Sequence, residues 1–279
     1  MENSNPLSKY FRQPAIYVQL PSKGQFYPKN AVEIPENQEL PVYPMTAMDE
    51  ITYRTADALF NGNAIVDVIK SCVPNIKEPW HMPTTDLDTI LIAIRIATYG
   101  HELEFTSACP SCSEENQFGI DLRGVLDNLK SPDYEKTVEI GDLTVYFKPI
   151  NYKQQNTNAL VQFEDQKIME SLPIAEMDEA EKLDMLNATF VKLGSASMRL
   201  LAQSIRCIKV DQDLVANEDH ILEFINNCDK KIYTAIRDHI VNVREEATIK
   251  PLKVQCTSCD HVYETPFTLD VSNFFASDS

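Results

Sequence analysis

Two short stretches decide how this chain is read: "CPSC" at 109–112 and "CTSC" at 256–259. Each places two cysteines on either side of a tight turn, with residues 113–255 between the pairs. The first lies between "ELEFTSA" (102–108) and "NQFGIDL" (116–122), and the second inside "IKPLKVQCTSCDHVYETPFTLDV" (249–271). All these flanks alternate apolar and polar residues, the period of a strand. The two halves also share a tail, Phe118-x-Ile120-Asp121-Leu122 and Phe267-x-Leu269-Asp270-Val271.

A CxxC turn aims two thiolates the same way, and two such knuckles face to face supply the four sulfurs that tetrahedral zinc prefers. The leading expectation is therefore one structural zinc ion per chain held by Cys109, Cys112, Cys256 and Cys259. Four cysteines leave no open coordination position for a reactive water, so the zinc would be structural rather than catalytic. Other readings stay open. A thioredoxin-like dithiol uses one CxxC, but normally at a helix N-terminus, which neither pair provides. A single-iron or iron–sulfur centre would use the same ligands, or the pairs never meet. His101 and His261 lie beside the pairs and could replace a sulfur or support one. Cys72, Cys207 and Cys228 fall within apolar or helical patterns and read as small buried hydrophobes.

The rest of the chain is arranged around these knuckles. Residues 1–45 hold seven of the sixteen prolines, which predicts an extended arm with short edge strands at "AIYVQL" (15–20) and "VEI" (32–34). Such an arm can pack on its own domain or reach a neighbouring subunit. Helices are predicted over 46–60, from a Thr46 cap to a stop at Asn61-Gly62, and over 64–73, before Pro74. A third runs over 85–100 from a threonine cap to Gly100; it is apolar on both sides, which places it at the centre of the N-terminal core. A hairpin follows at 136–150, turning at Gly141-Asp142.

Residues 151–248 turn helical and strongly charged, with helices at 158–172, 178–204, 217–227 and 229–243 and a strand or turn at 207–215. The expected organisation is an arm (1–45), a helical core with the first knuckle and a hairpin (46–150), a helical insertion (151–248), and second-knuckle strands packing back on the first (249–279). The fold class is α+β: a small β-rich, zinc-ribbon-like module closed by two CxxC knuckles, with an N-terminal helical region and a large helical insertion.

Composition bounds the function. With 279 residues, 43% of them hydrophobic, the chain can bury a sizeable core in one or two domains. Forty-two acidic against twenty-five basic residues give a net charge of -17, which argues against nucleic acid or an anionic membrane surface as partner. No apolar run approaches the ~20 residues of a membrane span, and the start lacks the apolar core of a secretory signal. With seven glycines and no GxxxxGK[ST], GxGxxG or GxSxG, no small-molecule or phosphate site and no enzyme is indicated. Carboxylate pairs such as Asp86/Asp88 and Glu114/Glu115 read as caps or solvated charges.

Five phrases carry a family resemblance: "LPSKGQFYP" (20–28), "YPMTAMDEI" (43–51), "LFNGNAIVDVIKSCV" (59–73), "IRIATYGHELEFTSACPSC" (94–112) and the closing "CTSC". In this order they resemble the baseplate proteins of T4-like contractile-tailed bacteriophages, in particular the baseplate hub or hub-assembly family. The resemblance covers 20–112 well and the remainder in general layout. It implies a protein made in the infected bacterial cytoplasm, meeting other baseplate or hub subunits, either as a virion component or as a transient assembly chaperone. A CxxC thiol oxidoreductase is the alternative from another class.

Overall fold

The computed structural model describes residues 5–54, 62–171 and 179–267. It divides into two compact units, Met1–Ser131 with Thr248–Ser279, and Pro132–Ala247. Every ladder among the described residues is antiparallel, and the sheets are small, so helices and local strands share the fold as an α+β chain does.

The first unit is built on the helix that the two-sided apolar pattern singled out. That helix, α3 (Thr84–Tyr99), follows α1 (Ala47–Tyr53) and α2 (Asn63–Cys72). Ile90, Leu91, Ile92, Ala93 and Ile94 are all buried, which covers every side of a full turn and makes α3 the core. The expected threonine cap is absent. Pro83 takes the cap position with no side-chain cap bond, and its carbonyl accepts from the Asp86 and Leu87 N–H groups. The helix ends at Gly100, whose φ of 91° suits a residue without a Cβ. Helix α1 has the Thr46 cap in full, with Asp49 completing a capping box; the expected extension over 55–60 lies outside the described residues.

The proline-rich segment packs on its own unit from Arg12 onward. Strand β1 (Ile16–Val18) pairs with β2 (Leu40–Val42), and both lie against α3. Only Val32 of the expected "VEI" strand pairs, in a single bridge with Ile76. Arg12 donates to the carbonyls of Pro44 and Ser71, the Ser71 hydroxyl and the Asp49 carboxylate, tying the segment to α1 and α2. Burial pushes the Asp49 carboxyl up, but the Thr46 N–H and hydroxyl, with Ser71 and Arg12, hold it below the usual carboxylate range. Ahead of Arg12, Leu7, Tyr10 and Phe11 are exposed.

Asp86 corrects the reading of acidic pairs as caps or solvated charge. It is fully buried and accepts bonds from the Ser22 N–H, the Ser22 hydroxyl and the Tyr27 hydroxyl. The phrase at 20–28 is thus folded around one carboxyl group of α3. Gly24 makes the fold-back possible at φ 78°, where a Cβ would come within 2.9 Å of Ile34.

The second unit carries a four-stranded sheet in the order β5 (Val138–Ile140), β6 (Leu143–Phe147), β7 (Ile205–Val210), β8 (Asp213–Val215). The hairpin at 138–147, which turns at Gly141 with φ 60°, therefore pairs with 205–210 and not with the cysteine-bearing strands. Helices α5 (Tyr152–Ser171) and α6 (Glu179–Gln203) run between β6 and β7, and α7 (Glu218–Asn227) and α8 (Lys230–Ala247) follow the sheet. Ile221 and Ile225 of α7, and Ile236, Ile240 and Val243 of α8, are buried at helical spacing, as are Val145, Phe147, Ile205 and Ile208 of the sheet. Residues 151–247 of the segment read as a helical insertion thus share one α+β unit with the hairpin at 138–147.

Two outcomes test the first unit. Asp86→Ala leaves the Ser22 N–H, the Ser22 hydroxyl and the Tyr27 hydroxyl without their acceptor, and is expected to lower the unfolding free energy by about 3 kcal/mol in chemical denaturation. Burial raises the half-buried Asp88 carboxyl to about 7. The folded state therefore binds this proton more tightly than the unfolded chain, and stability falls as pH rises from about 4 to 7. Asp88→Asn should flatten that slope and raise stability at pH 8 by about 1–2 kcal/mol, read from melting curves across that range.

Candidate metal centre

Two hairpins build the site. In the first, β3 (Glu102–Ala108) pairs with β4 (Glu115–Asp121) in register from Glu102↔Asp121 to Ala108↔Glu115, which leaves 109–114 as the knuckle. The short helix α4 (Leu122–Asn128) follows, capped by Asp121. In the second hairpin, β9 (Leu252–Gln255) pairs with β10 (Val262–Thr265), leaving 256–261.

The knuckles repeat one another bond for bond. The N–H of Cys109 donates to the Glu114 carbonyl and that of Cys256 to the His261 carbonyl, at 2.9 Å each. The Ser113 and Asp260 N–H groups return to the Cys109 and Cys256 carbonyls. Both residues take positive φ, 60° and 56°, immediately after the second cysteine of each pair. The N–H groups of Ser111 and Ser258 each point at a sulfur, Cys109 and Cys256 respectively, at 3.4 Å.

All four thiols converge. Their Sγ atoms lie within 4.8 Å of one another, and among the described residues this is the one such grouping of three or more ligand-type side chains. Cys109 and Cys259 sulfurs are 3.7 Å apart and those of Cys112 and Cys256 3.6 Å. A tetrahedral tetrathiolate site with bonds of about 2.3 Å has sulfur–sulfur edges of about 3.8 Å, so the geometry fits a metal ion. The close pairs run across the knuckles, one cysteine from each. Burial pushes Cys256 up, but the Ser258 and Cys259 N–H groups and the neighbouring thiols bring it down to about 6. The Glu114 N–H favours the Cys112 thiolate, yet the surrounding sulfurs and burial drive that thiol up to about 12.

Packing divides the four into two kinds. Cys109 and Cys256 are each 1% exposed and form a small core with Tyr263, against which Phe118 and Val254 pack, while Cys112 and Cys259 face solvent. Across the hairpins, the Tyr263 hydroxyl donates to the Ser107 carbonyl, and the Ser107 and Thr265 hydroxyls are 3.1 Å apart.

Neither histidine joins the sulfurs. His261 stacks on Tyr263 and His101 accepts from the Leu122 N–H through its carbonyl. Cys72, Cys207 and Cys228 stand outside the cluster, the first two buried as hydrophobes are. The shared tail at 267–271 lies outside the described residues beyond Phe267. The sequence reading missed Asn116, which is 2% exposed and reaches the second knuckle. A signal was present: Asn116 and Tyr263 each stand seven positions after the first cysteine of their knuckle, and both send a side chain across to the other hairpin.

The family model described as T4 bacteriophage base plate protein matches residues 19–276. The chain belongs to that family. The matched span of this base plate protein takes in both cysteine pairs and the whole unit between them. No curated protein and no solved structure gave a match. Among the described residues, no helix is long and apolar enough to cross a membrane.

The unequal burial of the thiols has a measurable consequence. With metal chelated, Cys109→Ser and Cys256→Ser are expected to cost about 1 kcal/mol, because a hydroxyl replaces sulfur against Tyr263, Phe118 and Val254, while Cys112→Ser and Cys259→Ser leave melting unchanged. With a thiophilic divalent ion supplied, all four variants should fall alike below the wild type, by several kcal/mol. An exposed-cysteine variant that kept the full metal-dependent rise in melting temperature would count against a four-sulfur site.

Proposed function

We propose that this base plate protein is an interaction subunit or assembly factor of the baseplate hub, in which one structural zinc ion on Cys109, Cys112, Cys256 and Cys259 fixes a zinc-ribbon-like module. The observation that carries the zinc reading is the convergence of four sulfurs within 4.8 Å of one another, with two pairs at 3.6 and 3.7 Å formed between knuckles. A redox dithiol is expected within one CxxC at a helix N-terminus; here each pair lies in a turn between strands, which favours a metal. A coordination sphere filled by four cysteines supplies no ligand position for substrate, so the role is positioning rather than catalysis.

In this reading the zinc joins 109–112 to 256–259, and the unit Pro132–Ala247 is carried between two segments of one module. Partners are other baseplate or hub subunits, met in the host cytoplasm during assembly. Metal-binding free energy becomes folding free energy in such a site.

Elemental analysis of the purified chain should return close to one zinc per chain, and chelation should lower its melting temperature by several degrees. Metal-free protein with unchanged melting would sink the zinc reading. Co-expression with hub subunits should yield a complex, and mass spectrometry of finished particles decides the remaining question. A fixed copy number marks a virion component, and absence marks a factor that leaves after assembly.

A further inference from the structure

We infer that Asn116 is the positioning residue of the cysteine site: its carboxamide latches the second knuckle onto the first and steadies the Cys256 sulfur from the opposite hairpin. The inference rests on the reading of the four cysteines as ligands of one zinc ion.

Asn116 is the second residue of β4 and its side chain is buried, so every polar atom of the amide needs a partner. Each has one. Oδ1 accepts from the Thr257 N–H at 2.8 Å and from the Thr257 hydroxyl at 2.7 Å. Nδ2 donates to the Glu114 carbonyl at 2.9 Å and lies 3.5 Å from the Cys256 Sγ. The assignment of oxygen and nitrogen follows from chemistry, since a backbone N–H can only donate and a carbonyl can only accept. One end of the amide is thereby held in the first knuckle, and the other grips the residue after Cys256 in the second.

No other residue type repeats this set. Aspartate retains the acceptors for Thr257 but puts a carboxylate against the Glu114 carbonyl and the Cys256 sulfur. Leucine matches the branching of the side chain and strands the Thr257 N–H and hydroxyl. The sulfur contact also has electronic weight. Four thiolates around a dication leave an excess of negative charge, and N–H donors to sulfur stabilise it. Ser111 and Ser258 supply one such donor each from within their own knuckles. Asn116 supplies one across the gap, to the sulfur whose neighbour it also anchors.

The test uses the full chain loaded with Co²⁺, whose sulfur-to-metal charge-transfer band reports the electron density on the thiolates. Wild type, Asn116→Asp, Asn116→Leu and Thr257→Val are compared for band position and for the rate of metal release to a chelator. Both Asn116 variants are expected to release metal about 10- to 100-fold faster, with the band moved to lower energy because a donor to sulfur is gone. Thr257→Val keeps the amide's contact with sulfur, so it should release metal faster by a smaller factor with the band in place. A merely structural latch would change release and leave the band unmoved in all three, which overturns the sulfur role. Wild-type release in the Asn116 variants overturns the whole inference, and if those variants fail to fold, wild-type release in Thr257→Val does the same. A wild-type chain that takes up no cobalt or zinc defeats the underlying zinc reading instead, an outcome visible before any variant is made.

Discussion

The meeting of two knuckles is the constraint on which the two cysteine-bearing hairpins depend. Neither hairpin is large enough to stand alone, since an isolated pair of strands is marginal in water. Their shared apolar core is small: two cysteines and a tyrosine, with Phe118 and Val254 against them. Hydrophobic burial on this scale gives little stability, and small modules of this kind ordinarily need a metal or disulfide staple. What holds the hairpins together is directional: four sulfurs converging within 4.8 Å, the Tyr263 and Ser107 bonds, and the amide of Asn116.

Holding residues 252–265 against 102–121 requires closing the long stretch of chain between them. The entropic cost of closure grows only slowly with length, so a large excursion is tolerated. Here the excursion is a folded unit with its own sheet and buried helix stripes. The site can therefore be read as independent of what lies between its halves, while the excursion keeps a core made from Phe147, Ile205, Ile221, Ile225, Ile236 and Ile240.

Legibility followed the range of the forces involved. The cysteines were readable because thiol spacing and flanking alternation are local, and helix α3 because seventeen consecutive positions from 84 to 100 hold their own periodicity and terminal glycine. Strand β2 was hidden by Pro41 and Pro44, which lower strand propensity, yet Pro41 pairs opposite Tyr17 in a two-stranded ladder where one side needs no donor. The hairpin at 138–147 was visible, but its partner at 205–210 lies beyond two helices, and nothing local names it. Asp86 and Asn116 look like ordinary polar residues in an acidic chain. Their burial is decided by Ser22, Tyr27 and Thr257, residues remote in sequence, and only tertiary structure brings those within bonding distance.

The repeat of the two knuckles bears on how the chain is made. Translation delivers Cys109 and Cys112 early and Cys256 and Cys259 only after the whole intervening unit has been synthesised. Until then the first hairpin presents Phe118, the Cys109 thiol and the Asn116 amide with no partner surface to cover them. A product cut short anywhere between the pairs retains that sticky, oxidisable face, which is the kind of surface that proteolysis and aggregation act on. Closure of the knuckles therefore comes late: the apolar face of the first hairpin is covered by the second only once the chain has been translated through the second cysteine pair.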